Sequence, residues 1–257
     1  MDKIKLIFNA DDFGLTKGVN LGIIETYQNG PVRSTTIMAG ADEFEHGVRL
    51  AKENPGLGVG IHLTLTAIHS VGGAYKTLTD EKGKLLPLVE FEQRQRAGMI
   101  DFEEVEAELE AQIQKALNAG IHPSHFDSHH HVHQLPGMLF IVHRLAKKYG
   151  VNKIRLSNPR LLKGPFADLQ TTARFEDGFF EEGVSMENLK RLIRNFKGNA
   201  KGNVMEIMVH PAYGDSVLPE ISSYVQRRRM EKDILTSKEL RHFLEHGNVE
   251  VVSFSDL

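Results

Sequence analysis

Lys5-Leu6-Ile7-Phe8-Asn9-Ala10-Asp11-Asp12-Phe13-Gly14 is an apolar run that ends in paired carboxylates and a glycine. From Lys5 to Asn9 it has the length and continuity of a strand buried on both faces, as in a parallel sheet. No Gly-x-Gly-x-x-Gly or Walker-type loop follows it, so a nucleotide-binding reading has no support. Further short apolar runs read as strands at Ser34 to Met38, Gly58 to Leu65, His125 to Ser128, Lys153 to Leu156, Val204 to Val209 and Val249 to Phe254.

Amphipathic stretches separate these runs. From Asp101 to Ala119, Phe102, Val105, Leu109, Ile113 and Leu117 recur at helical spacing, with Asp101 as N-cap and Gly120 just past the end. Leu139 to Lys148 gives a second helix stopped by Gly150, and Thr236-Ser237-Lys238-Glu239 reads as a capping box opening a helix that closes at Gly247. Strands alternating with helices predict an α/β fold with a parallel sheet and helices outside it. Closure into a barrel-like β/α fold, regular or irregular, is favoured over an open doubly wound sheet. One such barrel takes about 250 residues, so residues 1–257 are expected to form a single domain. The weakly periodic stretch 67–95 reads as a long loop over the site or a small insertion.

Composition narrows the chemistry. The formal net charge is -3, with both signs mixed along the chain, which is no nucleic-acid footprint. The one basic run, Arg227-Arg228-Arg229, lies next to Met230-Glu231 and reads as a solvated helix face. There are no cysteines, which excludes disulfides, thiolate ligands and cysteine nucleophiles and leaves His, Asp and Glu as the strong ligands. No run of about 18 apolar residues spans a membrane and no signal peptide is evident. The expectation is a soluble, cytoplasmic protein.

In parallel β/α sheets, ligands bind at the carboxyl ends of the strands. There the first strand runs into Asp11-Asp12, the third carries His62, and the fourth ends in Asp127-Ser128-His129-His130-His131-Val132-His133. The fifth carries Arg155 and the sixth ends in His210-Pro211-Ala212. Taken singly, paired aspartates cap turns, a histidine in an apolar strand is a hydrogen-bonded core residue, and His210 simply ends a strand. Gathered at one end of one sheet, they read as a site. Two imidazoles and a carboxylate leave coordination positions open, as catalytic metal sites require. Adjacent aspartates on an extended backbone point apart, so one can ligate while the other acts as a general base, with a histidine opposite to protonate a leaving amine. That set hydrolyses amides.

Asn9-Ala10-Asp11-Asp12-Phe13-Gly14, Gly60-Ile61-His62-Leu63, the Asp127 to His133 element and His210-Pro211-Ala212 together resemble the YdjC-like carbohydrate deacetylases, from Lys3 to the terminal strand. The resemblance implies a distorted barrel related to the polysaccharide deacetylases, and a divalent metal, magnesium, although ligand softness also suits zinc. It implies removal of acetate from N-acetylglucosamine units of a small β-linked oligosaccharide. Carried over, Asp12, His62 and His129 would be the metal ligands, Asp11 the base and His210 the acid. Arg155 would hold Asp11 charged or touch substrate; Asp127, His131 and His133 would support the ligands or contact substrate. One departure is visible. The larger polysaccharide deacetylases commonly place both metal histidines in one short motif, whereas here they sit on separate strands. If the 129–133 segment were extended, His129 and His131 would share a side, so either fits as the second ligand; the resemblance points to His129. Rival readings are a dinuclear phosphoesterase and a non-catalytic sugar-binding relative. β/α enzymes of this size often pair as homodimers.

Overall fold

The structure, a computed structural model, describes residues 3–196, 198 and 202–257. In chain order the elements are β1 (Ile4–Phe13), α1 (Lys17–Asn29), β2 (Ser34–Ile37), α2 (Phe44–Glu53), β3 (Gly58–Leu63), α3 (Leu88–Arg96), α4 (Phe102–Asn118), β4 (Phe126–Ser128), α5 (Met138–Tyr149), β5 (Arg174–Glu176), α6 (Met186–Asn195), β6 (Val204–Val209), α7 (Leu218–Ile221), α8 (Gln226–Leu235), α9 (Lys238–His246) and β7 (Val249–Val252). All strand pairings are parallel, in the order β4-β3-β2-β1-β6-β5, with β7 also on β1.

β1 is the spine. Its first half pairs with β7 (Ile4–Ile7 with Val249–Val252), its second half pairs with β2, and β6 runs along the other edge from Lys5 to Ala10. Flanked on both edges and covered on both faces, Leu6, Ile7, Phe8, Ala10 and Phe13 are fully buried, which is why the run reads as unbroken apolar sequence. The sheet curls, and residues 153–156 bridge its two margins. Ile154 pairs with Phe126 beside β4, while Lys153 pairs with Gln170 on the approach to β5. The predicted distorted barrel is therefore what forms, with two local corrections. Lys153 to Leu156 makes isolated bridges rather than a strand, and the β5 strand was not anticipated, being three residues long with exposed Arg174 at its start.

Helix ends follow local chemistry. The Asp101 carboxylate accepts from Glu103 N to open α4, and Gly120 adopts φ +85° just past its end, where a side chain would be strained. The expected capping box shifts by one residue. Ser237 caps α9 by accepting from Leu240 N, because the Thr236 hydroxyl instead donates to Lys232 O of the preceding helix.

The 67–95 stretch resolves into an irregular loop, tied by antiparallel bridges His69–Lys84 and Thr79–Leu85, followed by α3. A polar row on α4, one turn apart, fastens the chain from Thr64 to Thr77. Gln112 Nε2 donates to Thr64 O and its Oε1 accepts from Thr64 N. Buried Glu108 accepts from Val71 N and Gly72 N, and Glu104 accepts from Lys76 N and Thr77 N. A helix face that ordinarily buries apolar residues here carries acceptors, which satisfy the amides of the loop packed over it. Replacing Glu108 with Ala leaves two amides without an acceptor. The variant is expected to lose about 1–3 kcal/mol in urea unfolding and to exchange amide hydrogens faster at Val71 and Gly72.

Candidate functional site

At the end of β1 the pairing with β2 shifts register between Ala10 and Phe13, and Asp12 adopts φ +69°. The extended geometry assumed for the aspartate pair therefore gives way to a bulge, which re-aims side chains. The turn is held by Leu15 N donating to Asp12 O and by Gly14 N donating to Asn20 Oδ1. Gly14 has φ +97°, and a Cβ there would sit 3.3 Å from Met38 O. Asp11 and Asp12 consequently meet different partners.

Asp12 is 1% exposed. Its Oδ1 faces His62 Nε2 at 3.4 Å and His129 Nδ1 at 3.2 Å, yet makes a proper hydrogen bond with neither. One ligand atom from each of these three residues lies within 4.8 Å of the others. A buried carboxylate oxygen left unpaired between two imidazole nitrogens is a donor set that fits a divalent ion. His62 Nδ1 is 2.7 Å from Asp127 Oδ1, so its other nitrogen is the one turned towards Asp12. Burial opposes the His62 charge, but Asp127 and Asp12 push its pKa up to about 10.

Asp11 belongs to a second, deeper cluster. Fully buried Arg155 forks onto it, Nη1 to Oδ2 at 2.6 Å and Nη2 to Oδ1 at 2.7 Å. The same guanidinium reaches Asp127 Oδ2 at 3.0 Å and Glu206 Oε1 at 2.7 Å. Burial raises Asp11 and Asp127, and Arg155 overrides it and lowers both. Glu206 goes the other way, to about 8, because burial outweighs the attraction of a guanidinium it shares with two other carboxylates. Buried so completely, Arg155 is a clamp on Asp11 and makes no surface for a substrate.

His210 stands across from this pair, Nε2 3.9 Å from Asp11 Oδ2. Its backbone N donates to Glu231, whose other oxygen accepts from the Tyr224 hydroxyl. Burial, reinforced by Arg228 and Arg155 and opposed by the aspartates, lowers His210 to about 4, so its imidazole is neutral near pH 7. Asp11, Asp12, His62, His129, His131 and His210 all line one cavity of about 470 Å³, with Phe180 and Tyr224 in its wall.

The histidine run departs from expectation. Residues 129–134 form a tight 3-10 turn in which His130 and His131 have φ +55°, so the alternation argument does not apply. His129 faces Asp12. His131 packs edge-on to Phe175 with Nδ1 buried and unpaired, and buried His133 bonds Ser128 Oγ and Arg155 O. His133 is thus a brace for the Arg155 strand segment, away from the cavity lining.

Three site residues escaped the sequence reading. Arg228, expected on a solvated face, is 3% exposed and donates from Nη2 to Asp12 Oδ2 at 2.6 Å. Arg228, Glu231 and Leu235 share one buried face of α8 at helical spacing, the signal that the charge run concealed. Glu206, a carboxylate inside the apolar run from Val204 to Val209, was the plainer one.

The family model of the YdjC-like protein matches residues 5–246. The chain belongs to that family. This YdjC-like chain is 44% identical over 254 residues to carbohydrate deacetylase 1 of Listeria innocua, covering 99% of itself and 100% of that protein. It is 39% identical to a carbohydrate deacetylase of Clostridium beijerinckii with the same coverage. A solved structure from Enterococcus faecalis V583, named for cellobiose-phosphate cleavage, superposes with TM-score 0.90 at 31% identity, covering 100% of the YdjC-like chain and 99% of its own. Among the described residues no helix is long and apolar enough to cross a membrane.

Removing the clamp tests the deeper cluster. Arg155→Met leaves Asp11, Asp127 and Glu206 buried without their cation, and is expected to destabilise the protein by about 3–5 kcal/mol in urea unfolding.

Proposed function

We propose that this protein is a metal-dependent carbohydrate deacetylase that removes the N-acetyl group from N-acetylglucosamine units of small, chitobiose-like β-linked oligosaccharides. The observation that carries the reading is the division of labour between adjacent aspartates. Asp12 offers one unpaired oxygen to His62 and His129, while Asp11 is held ionised by Arg155 beside the cavity. The names of the full-length relatives supply the acetylated-sugar substrate.

Asp12, His62 and His129 would hold the ion, magnesium by family resemblance or zinc by donor type, and it would polarise the acetyl carbonyl and lower the pKa of water when bound. Asp11 takes the proton of the attacking water, its charge secured by the bidentate Arg155 pair. The hydroxyl oxygen bonds to the acetyl carbon, the C–N bond breaks, and the sugar nitrogen must gain a proton. His210 supplies it. Neutral at rest, the imidazole is protonated as negative charge develops beside it, by the proton that Asp11 took from water and passes on through one water across the 3.9 Å between them. Phe180 and Tyr224, ring centroids 4.3 Å apart, give the cavity an apolar wall against which a pyranose or the acetyl methyl can rest. Asp127 and Arg155 act at one remove, by fixing His62 and Asp11.

The phosphoesterase alternative requires a second metal about 3.5–4 Å from the first. The second candidate group, Asp11, His62 and Asp127, is already consumed. Arg155 binds both carboxylates, and His62 spends Nδ1 on Asp127. One metal per chain is therefore expected, in the cytoplasmic catabolism of acetylated sugars.

Acetate release from diacetylchitobiose, with and without chelator, tests the reaction. Chelator-sensitive release that falls by about two orders of magnitude or more in Asp11→Asn is expected. No release from a protein holding one equivalent of metal would exclude this substrate, and two equivalents would favour phosphoryl chemistry. His129→Ala should retain no metal. Because His62 must shed a proton to ligate and its pKa is raised, protons compete with the ion. Affinity should therefore rise from about pH 6 to 8 and weaken on acidification, as titration calorimetry at stepped pH would read directly.

A further inference from the structure

Arg228 binds the Asp12 oxygen that the two imidazoles do not face. Its Nε donates to Tyr224 O at 2.7 Å and its Nη2 to Asp12 Oδ2 at 2.6 Å. The first bond anchors the guanidinium, so the second is a fixed contact rather than a roaming surface pair. The two oxygens of one carboxylate therefore have opposite fates: Oδ2 is sealed by a cation, and Oδ1 has no hydrogen-bond partner and faces His62 and His129.

We propose that Arg228 is a positioning residue that confines Asp12 to a one-oxygen grip on the divalent ion, keeping a further coordination position free for water or substrate. This rests on the reading of Asp12, His62 and His129 as the metal site. A carboxylate beside a divalent ion can bind through one oxygen or two, and the second oxygen takes the place of a water. For Oδ2 to swing in, Asp12 would have to abandon a buried, charge-assisted hydrogen bond and leave Arg228 facing nothing. Nη1 of Arg228 is already buried without a partner, so the guanidinium has no second acceptor to fall back on.

The charge has its own consequence. A histidine ligand's supporting partner is usually an acceptor or a carboxylate, and losing it weakens metal binding. Arg228 is a cation in the same buried space as the ion, so it repels what Asp12 attracts, and the sign reverses. A merely structural ion pair, tying α8 to the end of β1, would change stability and leave the ion's hydration alone.

The test compares Mn²⁺-loaded wild type, Arg228→Met and Arg228→Lys, with folding checked by circular dichroism. Inner-sphere waters are counted by water-proton relaxation, and affinity is measured from the free Mn²⁺ signal in electron paramagnetic resonance. Arg228→Met is expected to lose one bound water and to bind Mn²⁺ more tightly, while acetate release falls by about 10- to 100-fold. Arg228→Lys restores the charge but lacks the planar fork that spans Tyr224 O and Asp12. It is expected to keep near-wild-type affinity and still lose the water, and it decides the matter should the Met variant not fold. A folded variant that keeps the wild-type water count, or an Arg228→Met protein that binds Mn²⁺ more weakly, overturns the assignment alone. A wild type that takes up no divalent ion overturns the metal-site reading and this role together.

Discussion

Wholly buried Arg155 bonds three carboxylates at once, and the site is arranged around that fact. A guanidinium taken wholly out of solvent is tolerable only if its donors are paired, and here Asp11, Asp127 and Glu206 converge from β1, β4 and β6 to do so. The fork fixes Asp11, which lines the cavity. Through Asp127 it also fixes His62, whose Nδ1 is thereby spent and whose Nε2 is turned to Asp12. Asp11 and His62 are thus both oriented by one buried cation.

Charge balance follows from the same arrangement. Three ionised aspartates, Asp11, Asp12 and Asp127, face two guanidiniums, Arg155 and Arg228, and one imidazolium, His62. Burial raises Glu206 and Glu231 to about 8, and the neutral carboxyl form lets them sit deep in the core without adding negative charge. A divalent ion that took the place of the His62 proton at Asp12 would raise the net charge of this neutral space by one. His210 is kept neutral by burial, with the same two arginines adding to it.

The cavity's outer wall depends on a different device. Glu104, Glu108 and Gln112 fasten the Thr64 to Thr77 chain by its backbone, so this loop can change side-chain composition without coming loose. Thr66, from the same chain, bonds His130 Nδ1, and Ala67 lines the cavity.

The sequence by itself determined the alternating α/β order, the barrel-like closure and the strand ends at which the polar residues gather, because those features are written in local periodicity and in where apolar runs stop. It also contained the motif set by which the YdjC-like family is recognised. Only the tertiary structure decided what each polar residue faces. Arg228 sits in a charge run that local reading assigns to solvent, and nothing within a few residues of it reports Asp12, which is 216 positions away. His129 and His131 could not be ranked from spacing, since the chain turns left-handed at His130 instead of extending. Lys153 to Leu156 and β5 were misjudged for a related reason. A segment that bridges two sheet margins is shaped by partners distant in sequence, and its own residues record only that it is buried.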